Sequence, residues 1–143
     1  MALHPYLFFG GNCRDAFTRY EEVFGGDLVL LTMADAPGEA PPADKADPII
    51  HAALKFGDHL LMGSDDPTTD DFGAVHGMMV SYTAADGDDA RRVFAALAGG
   101  GDVTQDLIET FFAPVWGMCT DRFGTPWMIG TDPEPGPAPD AAA

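Results

Sequence analysis

The groups in this sequence best equipped for acid–base work are one carboxylate and one imidazole. Glu109 follows Leu107 and Ile108 and precedes Phe111, Phe112 and Trp116. A carboxylate set among apolar and aromatic side chains is poorly solvated, which favours the neutral acid and makes it a candidate catalytic acid or base. Pointing out of a strand end into water, it would be an ordinary surface charge. His51 opens the run Ala52, Ala53, Leu54; an imidazole there is either a pocket donor or general base, or a group hydrogen-bonded within a sheet. Both readings stay open for each residue.

Around these, Phe8, Phe111, Phe112, Trp116 and Trp127 are candidates to line an apolar ligand pocket, with plain core as the competing role, above all for Trp127. Asp65 and Asp132 close two similar runs, which suits turn capping, and Asp65 is also a candidate for a pocket rim. His4 and His76 sit near the starts of expected strands, and two imidazoles without a placed carboxylate make an incomplete metal site. His59 falls in an expected hairpin. Cys13 and Cys119 lack the basic surroundings of a reactive thiolate, Arg14 being only a helix-surface neighbour of Cys13, and two cysteines build no disulfide framework. Serine-hydrolase and P-loop motifs are absent, and no Gly-rich loop between a strand and a helix is evident that would seat S-adenosylmethionine.

The elements that position these groups come from an internal repeat. Phe56, Gly57, Leu60, Leu61, Met62, Gly63, Ser64 and Asp65 are matched without gaps by Phe123, Gly124, Trp127, Met128, Ile129, Gly130, Thr131 and Asp132. Each reads as a hairpin feeding a terminal strand. Upstream, Cys13, Ala16, Phe17, Tyr20, Val23 and Phe24 form one helical face, with Asn12 as N-cap and Gly25 as stop. Ala90, Val93, Phe94 and Leu97 repeat the stripe, with Asp86 as cap and Gly99–Gly101 as end. Strands are expected at 4–9 and about 77–83, before the helices, and after the Gly-Gly-Asp turns at Asp27 and Asp102.

The unit is thus βαβββ, twice: an α+β chain of two βαβββ modules. Module one spans about 4–65 and module two about 76–132, within one domain, 1–132, and 133–143 reads as a frayed tail. The pattern predicts that the copies superpose with Phe56 over Phe123 and with the Pro/Ala/Asp stretch 35–48 as an insertion in copy one.

Composition narrows the function class. With 7 basic against 23 acidic residues the net charge is −16, which repels phosphate backbones and anionic bilayers, so neither nucleic acid nor membrane is an expected partner. Met1–Phe9 reads as a strand, not a signal peptide, and no apolar run approaches the roughly 18 residues of a membrane span. A reduced, cytoplasmic, bacterial-type setting is expected.

Pro5–Phe9 with Gly11–Cys13, Ala16, Phe17 and Tyr20, His51–Leu54, Met62–Asp65, Glu109–Phe111, and Asp121–Gly124 with Trp127 and Met128 give the chain a strong family likeness. It resembles the glyoxalase, bleomycin-resistance and dioxygenase (vicinal oxygen chelate) superfamily, and within it the PhnB-like branch often labelled as a 3-demethylubiquinone-9 3-methyltransferase domain. The resemblance implies a glyoxalase/bleomycin-resistance fold with a curved mixed sheet, and a homodimer. It also implies His, Glu or Gln metal ligands from the first and last strands, where the last strands of this chain offer Leu61, Met62, Met128 and Ile129 and the first strands only His4 and His76. The expected function is therefore binding of a small molecule in a concave apolar pocket, with no cofactor and no native metal. Catalytic candidates are Glu109 and His51, and ligand-binding candidates are Phe8, Asp65, Phe111, Trp116 and Trp127. The alternatives are a metal-dependent lyase, isomerase or dioxygenase recruiting His4 and His76, or a drug-sequestering binder of the resistance type.

Overall fold

The computed structural model describes residues 1–38, 48–66, 68 and 72–133. They fall in two compact units, Met1–Ala74 and Val75–Ala143. The first carries β1 (Tyr6–Phe9), α1 (Cys13–Phe24), β2 (Asp27–Thr32), β3 (Ile49–Phe56) and β4 (His59–Asp65). The second carries β5 (Val80–Ala84), α2 (Gly87–Ala98), β6 (Asp102–Ile108), β7 (Trp116–Thr120) and β8 (Pro126–Thr131). The βαβββ order therefore occurs twice. Each unit makes a four-stranded mixed sheet, ordered β1-β4-β3-β2 and β5-β8-β7-β6, with β1 parallel to β4 and β5 parallel to β8.

Burial follows the two periodicities that the sequence carries. In unit one Cys13, Ala16, Phe17, Tyr20 and Val23 are buried on α1, against Leu7, Phe9, Ala52, Leu54 and Leu61 of the sheet. The rings of Phe9, Phe17 and Tyr20 meet edge to face at 6.1 and 5.5 Å. Each such ring contributes about 1.5–3 kcal/mol by leaving water. Gly63 lies directly beneath Phe17, since a Cβ there would come within 2.7 Å of its ring. In unit two Ala90, Val93, Phe94 and Leu97 of α2 cover Cys119, Trp127 and Ile129. The turns after the helices need glycine at Gly26 and Gly101, where a Cβ would run into the carbonyls of Lys55 and Thr120.

The strands start later than expected. Pro5 has no N–H for the ladder, although its carbonyl accepts from Met62 N at 3.2 Å, so β1 begins at Tyr6. Gly77 has φ +79°, which breaks the extended chain before β5. The predicted insertion at 35–48 lies mostly outside the described residues; its first residue, Asp35, ends a single 3-10 turn. The tail beyond Pro133 also lies outside them.

The gapless word match does not survive as a structural match. β3 and β4 are joined through Phe56 opposite His59, leaving Gly57 and Asp58 as the turn. In unit two Asp121 N donates to Thr125 O, leaving Arg122, Phe123 and Gly124. The word match is therefore two residues out before the corner and one residue out after it, and a one-residue slip pairs each side chain of the return strand with one on the opposite face. Leu61 and Gly63 are buried, whereas their sequence matches Met128 and Gly130 are half-exposed. The structural counterpart of Phe56 is Asp121, not Phe123, and that of Leu61 is Trp127. Phe56 stacks on Phe24 at 5.1 Å, while Phe123 lies in the turn under the Arg122 guanidinium.

Candidate functional site

Each sheet has one face covered by its helix and one that is open. On the open face of unit one, Tyr6, Phe8, Val29 and Leu31 are 38–59% exposed. The register Leu31 opposite His51 puts His51 on this face. Its Nδ1 lies 3.3 Å from the Tyr6 hydroxyl, and the Tyr6 ring sits 5.3 Å from that of Phe8. His51 is therefore a half-buried imidazole in an aromatic patch, in reach of one phenol.

On the open face of unit two there is a cavity of about 540 Å³, lined by His76, Met78, Met79, Ser81, Thr120 and Met128 among others. Pairing explains the grouping: Ser81 lies beside Met128, and Met128 opposite Met118, while the chain leading into β5 supplies one wall. Its lining holds three thioethers, three hydroxyls and an imidazole, and no carboxylate, ammonium or guanidinium. Of these residues the sequence had singled out only His76 and Met128. The signal available was the dense His76-Gly77-Met78-Met79 run beside an expected strand.

The candidate residues fall in three settings. Asp65 and Trp127 are built into the covered side. Asp65, 8% exposed, accepts from Gly11 N and Cys13 N through Oδ1 at 2.9 and 3.0 Å and from Ile49 N through Oδ2 at 2.9 Å. It caps α1 from a distance, where Asn12 makes no side-chain cap. Trp127 is 2% exposed and donates its indole N–H to Asp121 Oδ2 at 2.9 Å, whose Oδ1 holds Phe123 N and Thr125 N. The expected symmetry of Asp65 with Asp132 is absent: Asp132 is exposed. Thr131 does the corresponding work, its Oγ1 accepting from Val115 N at 3.3 Å.

Glu109, Phe111 and Trp116 belong to the β6–β7 connection. Thr110 Oγ1 accepts from Phe112 N and Ala113 N and so folds the loop on itself. That turns Glu109 outward and leaves Phe111 fully exposed. Phe112 bridges back to the half-buried Trp116 at 5.6 Å. Phe8 and Trp116 are thus on open faces, and His51 is the candidate base with a defined neighbour.

Among the described residues no three His, Cys, Asp or Glu side chains come together to hold a metal ion, and His4 and His76 precede β1 and β5 in different units. The thiols are also poor ligands or nucleophiles. Burial, reinforced by the Asp65 charge, pushes Cys13 up to about 12, and burial with Asp121 pushes Cys119 up to about 11. Both stay protonated near neutrality.

Comparison with known proteins then places the chain. Residues 1–130 match the family model described as 3-demethylubiquinone-9 3-methyltransferase. The chain belongs to this family. It is similar to Protein YjdN of Escherichia coli, 30% identical over 139 residues, 90% of this chain and 94% of that protein. Among solved structures it is similar to protein PA1353 from Pseudomonas aeruginosa, with a TM-score of 0.83 and 41% identity over 92% of this chain and 98% of that one. It shares its fold with the PhnB protein from Bacillus cereus, at a TM-score of 0.74 and 21% identity over 92% and 99% of the two chains. The family and its paired βαβββ architecture are those of the glyoxalase superfamily, as the resemblance implied.

The methyl transfer in the family's description would need a seat for S-adenosylmethionine. Two glycines, Gly10 and Gly11, stand between β1 and α1. Their surroundings do not fit that cofactor. The N–H groups of Gly11 and Cys13, which would face a ligand at the start of α1, are taken by Asp65. The Phe72 ring packs against Gly10, 2.8 Å from where a Cβ would stand. No step through S-adenosylmethionine is derived. No helix among the described residues is long and apolar enough to cross a membrane.

Proposed function

We propose that the chain is a small-molecule binder of its family, acting as a cytoplasmic homodimer without a native divalent metal, and that the cavity on the open face of unit two is its ligand seat. The observation that carries this is the lining itself. About 540 Å³ is within the range of small-ligand sites, which combine apolar walls with a few polar groups. Methionines give an adaptable wall, and Ser81, Thr104 and Thr120 give orientation. With no ionic side chain in the lining and a net charge of −16, the preferred ligand is uncharged or cationic and largely apolar; anions are repelled.

Trp116 stands on the same sheet face as Met128 and supports the ligand's outer edge, with Phe111 and Glu109 on the neighbouring loop as a rim. His51 and Phe8 make the corresponding surface of unit one, and His51 is the group to test for proton transfer. In this reading Asp65 and Trp127 serve the framework.

The test is binding of a neutral solvatochromic dye, Nile red, to the purified protein and to Ser81→Trp, which fills the cavity. Micromolar binding by the parent, lost in a variant whose unfolding midpoint is unchanged, is the expected result. Equal binding by both would move the seat elsewhere. Recovery of a captured ligand unchanged after prolonged incubation separates sequestration from turnover.

A further inference from the structure

The same cavity carries an inference of a different kind, independent of the organic-ligand reading. Met78, Met79, Met128 and His76 all line it, and Met118 lies directly opposite Met128 on the same sheet face. Four of the seven methionines of the chain are thereby gathered around one opening. Thioether sulfur is a soft donor that neither protonates nor carries charge at neutral pH. It selects soft monovalent ions over the hard divalent ions served by carboxylates and carbonyls. The absence of carboxylates from the lining leaves a hard divalent ion without anionic donors, while sulfur and imidazole together suit a soft one. The overall negative charge raises the local concentration of any cation.

The geometry points to a soft-metal site: His76, Met78, Met79 and Met128 bind one monovalent soft cation, Cu(I) or its redox-inert analogue Ag(I). The arrangement suits capture. Met128 is fixed on the β8 strand, in the middle of the sheet order, and Met79 is half-buried just ahead of β5. Met78 is 50% exposed and His76 exposed, on a segment outside the strand ladder. Two donors thus lie on or just ahead of the strands, and two on the exposed segment at the solvent side. Cys13 and Cys119 are fully buried in the two cores and lie outside this set.

The experiment is titration of the intact protein with Ag(I), read by native mass spectrometry and by the methionine methyl shifts in a carbon–proton NMR spectrum. The parent is compared with Met78→Leu/Met79→Leu/Met128→Leu and with His76→Gln. Leucine keeps the volume and apolarity of methionine but removes the sulfur. One Ag(I) per chain is expected, with shifts confined to the methyls of Met78, Met79 and Met128, and affinity weakened about a hundredfold or more in the triple variant and about tenfold in His76→Gln. Nile red binding should persist in the triple variant, so loss of the ion and failure of the organic-ligand reading are told apart. Unchanged Ag(I) binding in the triple variant would assign the ion to the thiols and overturn the proposal. So would the absence of stoichiometric binding by the parent, or shifts at Met33 and Met62 equal to those at the cavity. If the triple variant does not fold, the methyl shifts of the parent still decide.

Discussion

Replacing Asp65 tests whether its carboxylate is framework or pocket, and the outcome can be estimated from its bonds. The side chain is 8% exposed and accepts from three backbone N–H groups, of Gly11, Cys13 and Ile49, at 2.9–3.0 Å. Bonds to a charged acceptor are each worth about 1.5–3 kcal/mol, and a buried donor left without a partner costs about 1–3 kcal/mol. The carboxylate also faces the positive end of α1, worth about 0.3–1 kcal/mol. These terms overlap and do not add. Asp65→Ala should therefore cost about 4–5 kcal/mol, a large share of the roughly 5–15 kcal/mol that holds a domain together. Asp65→Asn keeps an oxygen for Gly11 and Cys13 but turns an amide N–H toward Ile49 N, and should cost about 2–3 kcal/mol. Urea unfolding followed by circular dichroism reads both values. Hydrogen exchange at Gly11, Cys13 and Ile49 should accelerate well before global unfolding. The exposed Asp132→Ala is the control, with a change within about 0.5 kcal/mol. If Asp65→Ala costs under about 1 kcal/mol and instead weakens ligand binding, the framework assignment is wrong and Asp65 returns to the pocket.

Trp127→Phe removes the indole N–H that donates to Asp121 Oδ2 and should cost about 2–4 kcal/mol, whereas Trp116→Ala on the open face should cost less and lower Nile red affinity; the reverse order in urea unfolding would exchange their roles. Burial raises both thiols, to about 12 at Cys13 and about 11 at Cys119. The protonated form is thus favoured in the fold, so their contribution is full below about pH 9 and is lost as pH climbs through 11 and 12. Thermal midpoints should fall from pH 9 upward, and thiol titration at pH 8 should find no reactive group until denaturant is added; a fast-reacting thiol would contradict the burial. Sedimentation at tens of micromolar, on the order of ordinary assay concentrations, should give the mass of two chains, and a monomer would count against the homodimer.

What the sequence made legible was local. The stripes at Cys13, Ala16, Phe17, Tyr20 and Val23 and at Ala90, Val93, Phe94 and Leu97 placed both helices, because a 3.6-residue period is written in consecutive positions. Asp86 was legible as a cap because it bonds the N–H of Asp89, three residues on. Asp65 was not legible as a cap, because its partners at Gly11 and Cys13 are remote in sequence and meet it only once β4 lies beside β1. Glu109 was chosen for its aromatic neighbours in the chain, but sequence neighbours in a turn need not enclose one another, and the Thr110 hydroxyl folds the loop outward. Met78 and Met79 were missed for the opposite reason, since they are brought to Met128 only once β5, which follows them, pairs with β8.

The repeat itself shows how far a word match reaches. Phe56-Gly57 and Phe123-Gly124 are alike as text, yet the first Phe ends a strand and the second stands inside a turn, two residues beyond Asp121, the counterpart of Phe56. The corner-based alignment matches Trp127 to Leu61, both facing the helix, and Met128 to Met62, both on the open face, where a gapless reading would make them the partners of Leu60 and Leu61. It also gives Thr131, not Asp132, the work of Asp65 in holding the third strand. With that work done by a neutral hydroxyl and α2 capped locally by Asp86, unit two keeps no buried carboxylate at this end of its terminal strand. Its open face can then be lined by thioethers and hydroxyls without a neighbouring buried charge.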